Sequence, residues 1–135
     1  MRIKKAYVTF LERARVVRVA TADLRGVSHV VPVCPVFDHG KLYFGTGTEG
    51  RKVTNLRANP RITLVADDYV EAWDALRGLM VTGTATLHAR GPRFQRARGL
   101  LYEKFPQYPE DAALEVGDSL IVEVTPTRVF AWGFD

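Results

Sequence analysis

Apolar residues recur along the chain with two different spacings. Near the N-terminus they fall three and four positions apart, at Ile3, Ala6, Tyr7, Phe10, Leu11 and Ala14. This spacing places them on one face of an amphipathic helix over about residues 3–14. A second set with helical spacing follows Gly91-Pro92 and ends at Pro106, with apolar positions at Phe94, Ala97, Leu101 and Phe105. The pattern therefore predicts two longer helices, separated by the central part of the chain.

The remaining apolar and β-branched runs predict six strands. They cover residues 16–22, 28–37, 41–44, 61–68, 79–89 and 119–134. Turn-forming residues at 23–26 and 38–41 join the first three strands as hairpins, and a short helix at 53–57 follows the third. Hairpin spacings with few long crossovers predict a mainly β fold, an antiparallel six-stranded barrel with helices packed outside it.

Prolines and a glycine mark irregular points in these strands. Pro32 and Pro35 cannot donate to a strand ladder, so part of the second strand faces either a cleft or solvent. Gly83 predicts a bulge or a close backbone approach in the fifth strand. Pro126 predicts an interruption of the last strand.

The segment between the third strand and the short helix has the composition of a phosphate site. Gly45-Thr46-Gly47-Thr48-Glu49-Gly50 is rich in small and hydroxyl residues, and Arg51 and Lys52 follow it directly. Glycines permit close backbone approach, hydroxyls donate hydrogen bonds, and a helix N-terminus adds free N–H groups. Arg51 could bind two phosphate oxygens and Lys52 could act as a point charge. The alternative is a glycine-rich turn with two solvated cations; the P-loop pattern is absent.

Length and composition indicate one globular domain spanning residues 1–135, with 47% hydrophobic and 25% charged residues. Cys34 is the only cysteine and no apolar run approaches the ~20 residues of a membrane helix, so we expect a cytoplasmic protein without a membrane partner. The net charge of +4 is mild. The arginines around residues 90–98 lack interleaved aromatics, so a solvated face is expected rather than a nucleic-acid interface.

No catalytic side chain stands out in the sequence. His29, His39 and His88 lack metal-ligand spacing, so we expect no metal site. Cys34 lies beside two prolines without an adjacent basic residue, which is typical of a small buried hydrophobe rather than a nucleophile. The catalytic residues therefore stay unknown at this stage.

Six segments, taken in order, resemble a known family. They are residues 20–21, 32–33, 42–46, 52–61, 81–85 and 126–133. Together they are similar to the pyridoxamine 5′-phosphate oxidase-like flavin-binding split barrels, and most similar to the small members described as probably F420-dependent. Pyridoxamine phosphate itself is not an expected substrate, because Arg128 is followed by Val129-Phe130 and not by the Arg-x-His pair of true oxidases.

The resemblance implies a homodimer of six-stranded split barrels with two cofactor sites between the subunits, each taking FMN or F420. It implies that the cofactor phosphate is held by Thr46, Arg51 and Lys52, with Thr48 beside them. The flavin-type ring would lie along the second strand, at Val31, Pro32, Val33 and Cys34. Trp73 and Trp132 of the partner chain would cover the ring, although each alone fits ordinary packing equally well.

Two functions fit these implications. The first is an oxidoreductase that transfers hydride to or from a small molecule, with the cofactor supplying the chemistry. The second is a carrier that binds a flavin, a deazaflavin or another ligand without turnover. For the dimer, we expect the interface to hide four aromatic side chains that lie in otherwise polar surroundings, namely Trp73, Phe130, Trp132 and Phe134.

Overall fold

Seven strands form one antiparallel sheet in the computed structural model, which describes residues 1–134. The strands are β1 Val17–Ala22, β2 Ser28–Val33, β3 Val36–Asp38, β4 Lys41–Gly47, β5 Arg61–Asp68, β6 Arg77–His88 and β7 Ser119–Trp132. The helices are α1 Lys5–Arg13, α2 Arg51–Ala58, α3 Pro92–Lys104 and the short α4 Tyr108–Asp111, and a single 3₁₀ turn covers Trp73–Ala75. The strand order is β2-β1-β5-β6-β7-β4-β3.

The sheet curls into a barrel because the chain joins its two edges. β2 and β3 lie at opposite ends of the strand order, yet only Cys34 and Pro35 separate them. Three residue steps span at most about 11 Å, so the edges must come together. The predicted split barrel of mainly β structure is confirmed. The prediction of six strands was wrong by one, because residues 28–37 form two strands that pair with different neighbours.

The barrel interior is the main hydrophobic core, and helices close its two ends. Inward-facing side chains come from alternate positions of the strands, among them Val19, Leu64, Val81 and Val124. Leu11 of α1 and Leu56 of α2 join this same core. α3 packs on the outside of the wall, where Phe94 and Leu101 form a second core with Tyr43, Ile121 and other side chains, and Tyr108 of α4 packs against this core. The predicted mainly β fold with flanking helices is confirmed, and Leu11 of α1 and Leu56 of α2 in addition reach into the barrel core.

The two ends are distinct, and we call them the α1 end and the α2 end. At the α1 end, Phe134 packs edge-on against Tyr7 and Phe10, with ring centroids 5.1 and 5.2 Å away. At the α2 end, the helix contacts the last residues of β1. Phe134 is thus half-buried against α1 of its own chain.

Gly83 allows a close backbone approach in the wall. The predicted irregularity at Gly83 is confirmed, since the β6–β7 register shifts there and an added Cβ would lie 2.2 Å from the Thr125 carbonyl oxygen. Pro126 faces Gly83 in this bulge, where its missing N–H removes no regular ladder bond. β7 consequently runs through Pro126 without a break, and the predicted interruption was wrong.

The third strand is longer than predicted. Gly45, Thr46 and Gly47 pair with Ile121, Leu120 and Ser119 of β7, so they belong to β4 and the turn shrinks to residues 48–50. Gly45 suits this place because an added Cβ would lie 2.5 Å from the Leu114 side chain. No helix among residues 1–134 is long and apolar enough to cross a membrane.

Candidate cofactor site

The start of α2 presents an uncapped helix terminus. Gly50 precedes the helix with φ 118°, a value that glycine adopts without strain. No side chain caps the first turn, and no acidic residue lies in it. Backbone N–H groups and the positive end of the helix dipole are therefore available to an anion at this point.

Two cations stand at this terminus. Arg51 is exposed, whereas Lys52 is half-buried and its burial lowers the pKa of its ammonium. Neither side chain forms an ion pair with a carboxylate among residues 1–134. A partly desolvated ammonium without an anionic partner is costly, and a bound anion would offset that cost.

A buried hydrogen bond fixes α2 against the wall. The Asn55 side-chain amide donates to the Thr21 hydroxyl oxygen at 3.0 Å, and both residues are buried. Thr21 in turn lies opposite His29 of β2. The Nδ1 atom of His29 is buried and has no hydrogen-bond partner among residues 1–134. The Asn55–Thr21 hydrogen bond therefore places α2 at the same end of the barrel as the beginning of β2.

The wall has an opening between β2 and β4. β2 pairs only with β1, and residues 44–47 of β4 pair only with β7, so each has one unpaired edge in the described chain. The β2–β3 link brings these two edges to the same side of the barrel. The free edges offer backbone N–H and C=O groups that a planar polar ring could meet, with Pro32 unable to donate.

The residues predicted to line the ring differ in where their side chains go. Val31 and Val33 pack against the barrel core, and Pro32 is exposed on the outer face. Cys34 is a free, half-buried thiol that packs with the second core. Only backbone groups of this stretch are thus available along the open edge of β2.

The predicted phosphate ligands are brought together in part. Thr46 lies at the end of β4 on the same strand face as the buried Phe44, Thr48 lies in the following turn, and both are half-buried. Arg51 and Lys52 follow within the same few residues. All four therefore belong to one strand–turn–helix segment at the α2 end.

Trp73 and Trp132 lie elsewhere in the protomer. Trp132 pairs with Gly78 near the α1 end, where an added Cβ on Gly78 would lie 2.3 Å from the indole. Its Nε1 atom is buried without a partner among the described residues. Trp73 sits in the 3₁₀ turn before β6 with 82% of its surface exposed. Within one chain, neither indole is near the start of α2.

Sequence reasoning did not identify Thr21, His29 or Asn55 as parts of this end. Thr21 and Asn55 are 34 positions apart, so no local spacing signals their contact. A buried polar residue on a short amphipathic helix, as Asn55 is, was the one available signal.

The sequence matches the pyridoxamine 5′-phosphate oxidase family over residues 3–133. The chain belongs to this family. No curated protein matches the sequence.

Solved structures share the same fold at low sequence identity. A conserved hypothetical protein from Mycobacterium tuberculosis superposes with a TM-score of 0.82 at 20% identity, covering 98% of this chain and 86% of that one. The heme storage protein HutZ from Vibrio cholerae gives 0.81 at 17% identity, with 96% and 94% covered. An F420 reductase gives 0.76 at 22% identity, with 95% and 98% covered.

Proposed function

We propose that this chain is an oxidoreductase that holds a flavin-type cofactor, FMN or F420, with its phosphate at the α2 end, and acts on a small molecule. The observation that carries the proposal is the half-buried Lys52, without a carboxylate partner, at an uncapped helix N-terminus. Family membership and the shared fold of an F420 reductase support the same class of cofactor.

Each residue of the segment has a defined role in this proposal. Lys52 supplies a point charge, Arg51 a planar pair of donors, and Thr46 and Thr48 hydroxyl hydrogen bonds to phosphate oxygens. Backbone groups along residues 31–34 would read the polar edge of the ring at the opening between β2 and β4. The cofactor supplies the hydride chemistry, and the chain supplies binding and orientation.

The proposed site is shared by two subunits, and the outer face of the sheet supports a homodimer. One row of residues crosses five strands on that face: Pro32, Arg18, Val65, Met80 and Phe130 are successive cross-strand partners. Four of the five are apolar, and 56% of the Phe130 surface is exposed. No helix of residues 1–134 covers this row, unlike the wall beneath α3, and we call it the open row. In a two-fold dimer, the partner subunit's Trp73 and the partner subunit's Trp132 would cover the ring.

We expect a dimer that buries more than the ~1,200 Å² of a minimal stable interface. Replacing Phe130 by aspartate puts a charge in the open row and should give monomers at micromolar concentration in analytical ultracentrifugation. Val116→Asp is the matched control, because Val116 is an exposed apolar residue outside the sheet wall. A monomeric wild type with cofactor bound would contradict the shared site.

A carrier role is the second candidate. The side chains assigned to the site, Thr46, Thr48, Arg51 and Lys52, can all bind an anion, and only Lys52 belongs to a residue type that commonly acts as a general acid or base. HutZ, described as a heme storage protein, has the same fold. The two candidates differ in whether a bound cofactor is reduced and reoxidised by a second molecule.

Titration of the purified protein with FMN, F420, riboflavin and hemin tests the proposal. Absorbance and fluorescence should show saturable binding of FMN or F420, with weaker binding of riboflavin because it lacks the phosphate. Reduction of the bound cofactor, followed by reoxidation by a small-molecule acceptor, would distinguish the enzyme from the carrier. Tight binding of hemin with no binding of FMN or F420 would overturn the proposed cofactor class.

A further inference from the structure

A second cluster of charged side chains lies on the outside of the wall, beneath the start of α3. At its centre is Glu123 of β7, which is 4% exposed. Its Oε2 accepts a hydrogen bond from Lys41 Nζ at 2.9 Å, and its Oε1 accepts one from Arg93 Nη1 at 2.7 Å. His88 Nε2 lies 3.0 Å from the same Oε1 and must donate to it, because an ionised carboxylate only accepts.

Further polar groups extend this cluster towards solvent. Arg93 also donates to the Tyr43 hydroxyl at 3.2 Å. Arg96 makes two parallel hydrogen bonds to Asp38, at 2.9 and 3.1 Å. These groups surround a cavity of about 330 Å³ with six lining residues: Asp38, His39, Lys41, Tyr43, Arg93 and Arg96. We call it the Tyr43 cavity.

Positive charge exceeds negative charge around the Tyr43 cavity. Three cations that are charged at neutral pH, from Lys41, Arg93 and Arg96, face two carboxylates, and the two histidines can only add to the excess. The Arg93 side chain is 49% exposed and that of Arg96 55%, so both keep N–H groups that reach solvent. The Arg93–Glu123 and Arg96–Asp38 pairs both join α3 to the sheet, and Lys41 adds a third cation to the cluster.

The donors suit an oxyanion with several charges. Two guanidinium groups can each bind oxygen atoms in pairs, Lys41 adds a point charge, and the Tyr43 hydroxyl has a proton left to donate. α3 begins at the cavity with Pro92, and its first turn carries no acidic residue, so the helix dipole adds to the positive potential. The volume is at the small end of the range for ligand pockets.

We propose that the Tyr43 cavity binds a small, multiply charged oxyanion, such as a phosphomonoester or a tricarboxylate. This site is separate from the cofactor site. Tyr43 faces the α3 side of β4, whereas its neighbour Phe44 faces the barrel core. The proposal therefore stands or falls independently of the cofactor proposed above.

Calorimetric titration with inorganic phosphate tests the site in a Lys52→Ala background, in which phosphate binding at the α2 end is weakened. We expect saturable binding there, weakened about tenfold by Arg96→Gln, since one charge-assisted pair of hydrogen bonds is lost. Arg96→Lys should give an intermediate loss, because it keeps the charge but not the planar fork. Arg90→Gln is the matched control and should change the affinity less than twofold, because Arg90 is exposed and outside the cavity.

Amide chemical shifts locate the bound ion, and circular dichroism checks that each variant is folded. Phosphate should shift amides at residues 38–43 and 93–96 in the Lys52→Ala protein. Citrate should compete with phosphate, whereas acetate at the same ionic strength should not. Equal phosphate affinities for the Arg96→Gln and Arg90→Gln proteins, or shifts confined to other residues, would overturn the proposal, as would the absence of binding.

Discussion

Replacing Lys52 by alanine is expected to weaken FMN binding about tenfold to a hundredfold. Each charge-assisted hydrogen bond to a phosphate contributes ~1.5–3 kcal/mol net, and 1.4 kcal/mol corresponds to a factor of ten. Lys52→Glu should weaken binding further, because a like charge then faces the phosphate. The dissociation constants can be measured by fluorescence titration, with F420 replacing FMN if that is the cofactor bound.

Riboflavin and a variant that lacks a different cation of α2 provide the controls. Riboflavin has the ring without the phosphate, so its weaker binding should be nearly the same for wild type and Lys52→Ala. Arg57→Ala removes an exposed cation from the last turn of the same helix and should leave FMN binding unchanged. Equal losses for FMN and riboflavin would show that Lys52 shapes the pocket instead of holding the phosphate. No loss for either would favour the alternative of a solvated turn.

Glu123→Gln is expected to lower the free energy of unfolding by about 2–3 kcal/mol at pH 7. Removing one partner of a fully buried ion pair costs ~3–5 kcal/mol, and the effect is smaller here because Lys41 and Arg93 stay partly solvated. Urea denaturation measures the difference. Glu115→Gln, a change of an exposed carboxylate with no ion pair among residues 1–134, should alter stability by less than about 0.5 kcal/mol.

The difference in the free energy of unfolding between wild type and Glu123→Gln should depend on pH in a defined direction. Burial by itself would raise the pKa of Glu123, but the hydrogen bonds from Lys41 and His88, with the charges of Lys41 and Arg93, outweigh it and hold that pKa below its usual value. A carboxyl group whose pKa is lower in the folded than in the unfolded state stabilises the fold, and this stabilisation is complete at pH values above the unfolded pKa, which is ~4.3 for glutamate. The stabilisation is lost as the pH falls through the folded value. The difference in the free energy of unfolding between wild type and Glu123→Gln should therefore reach its full value at pH 7 and decrease below about pH 4. A difference that stays constant with pH would contradict this account.

The class of fold could be predicted because alternation of apolar and polar residues is a local signal. The segment 61–68 was predicted as a strand, and β5 has the same bounds. Along this strand, buried residues alternate with more exposed ones, as expected when one face of the strand lies in the barrel core. Residues 28–37 read as one strand for the same reason. The local pattern did not show that the pairing partner changes at Cys34-Pro35, because β-forming apolar residues continue through both strands, whereas β2 pairs with the preceding strand β1 and β3 pairs with the following strand β4.

The candidate site was predictable to the extent that it is contiguous. Arg51 and Lys52 follow a turn and open a helix, and both facts are visible within ten residues. The Asn55–Thr21 contact and the opening beside β2 arise only when the sheet curls, so no spacing indicated them. The distance of Trp132 from this end follows from its register against Gly78, which depends on the bulge at Gly83.

The place of β7 in the strand order has a consequence for how the protein is made. β7 is the last strand in the chain, yet it lies between β6 and β4 and joins two otherwise separate sets of strands. On the ribosome, the β3–β4 hairpin waits without its neighbour while about seventy further residues are synthesised, for several seconds at ~5–20 residues per second. During that time β4 presents a bare edge to other nascent chains, and β6 does so as well from its synthesis until β7 follows about thirty residues later. Slow or truncated translation should therefore increase aggregation of the nascent chain.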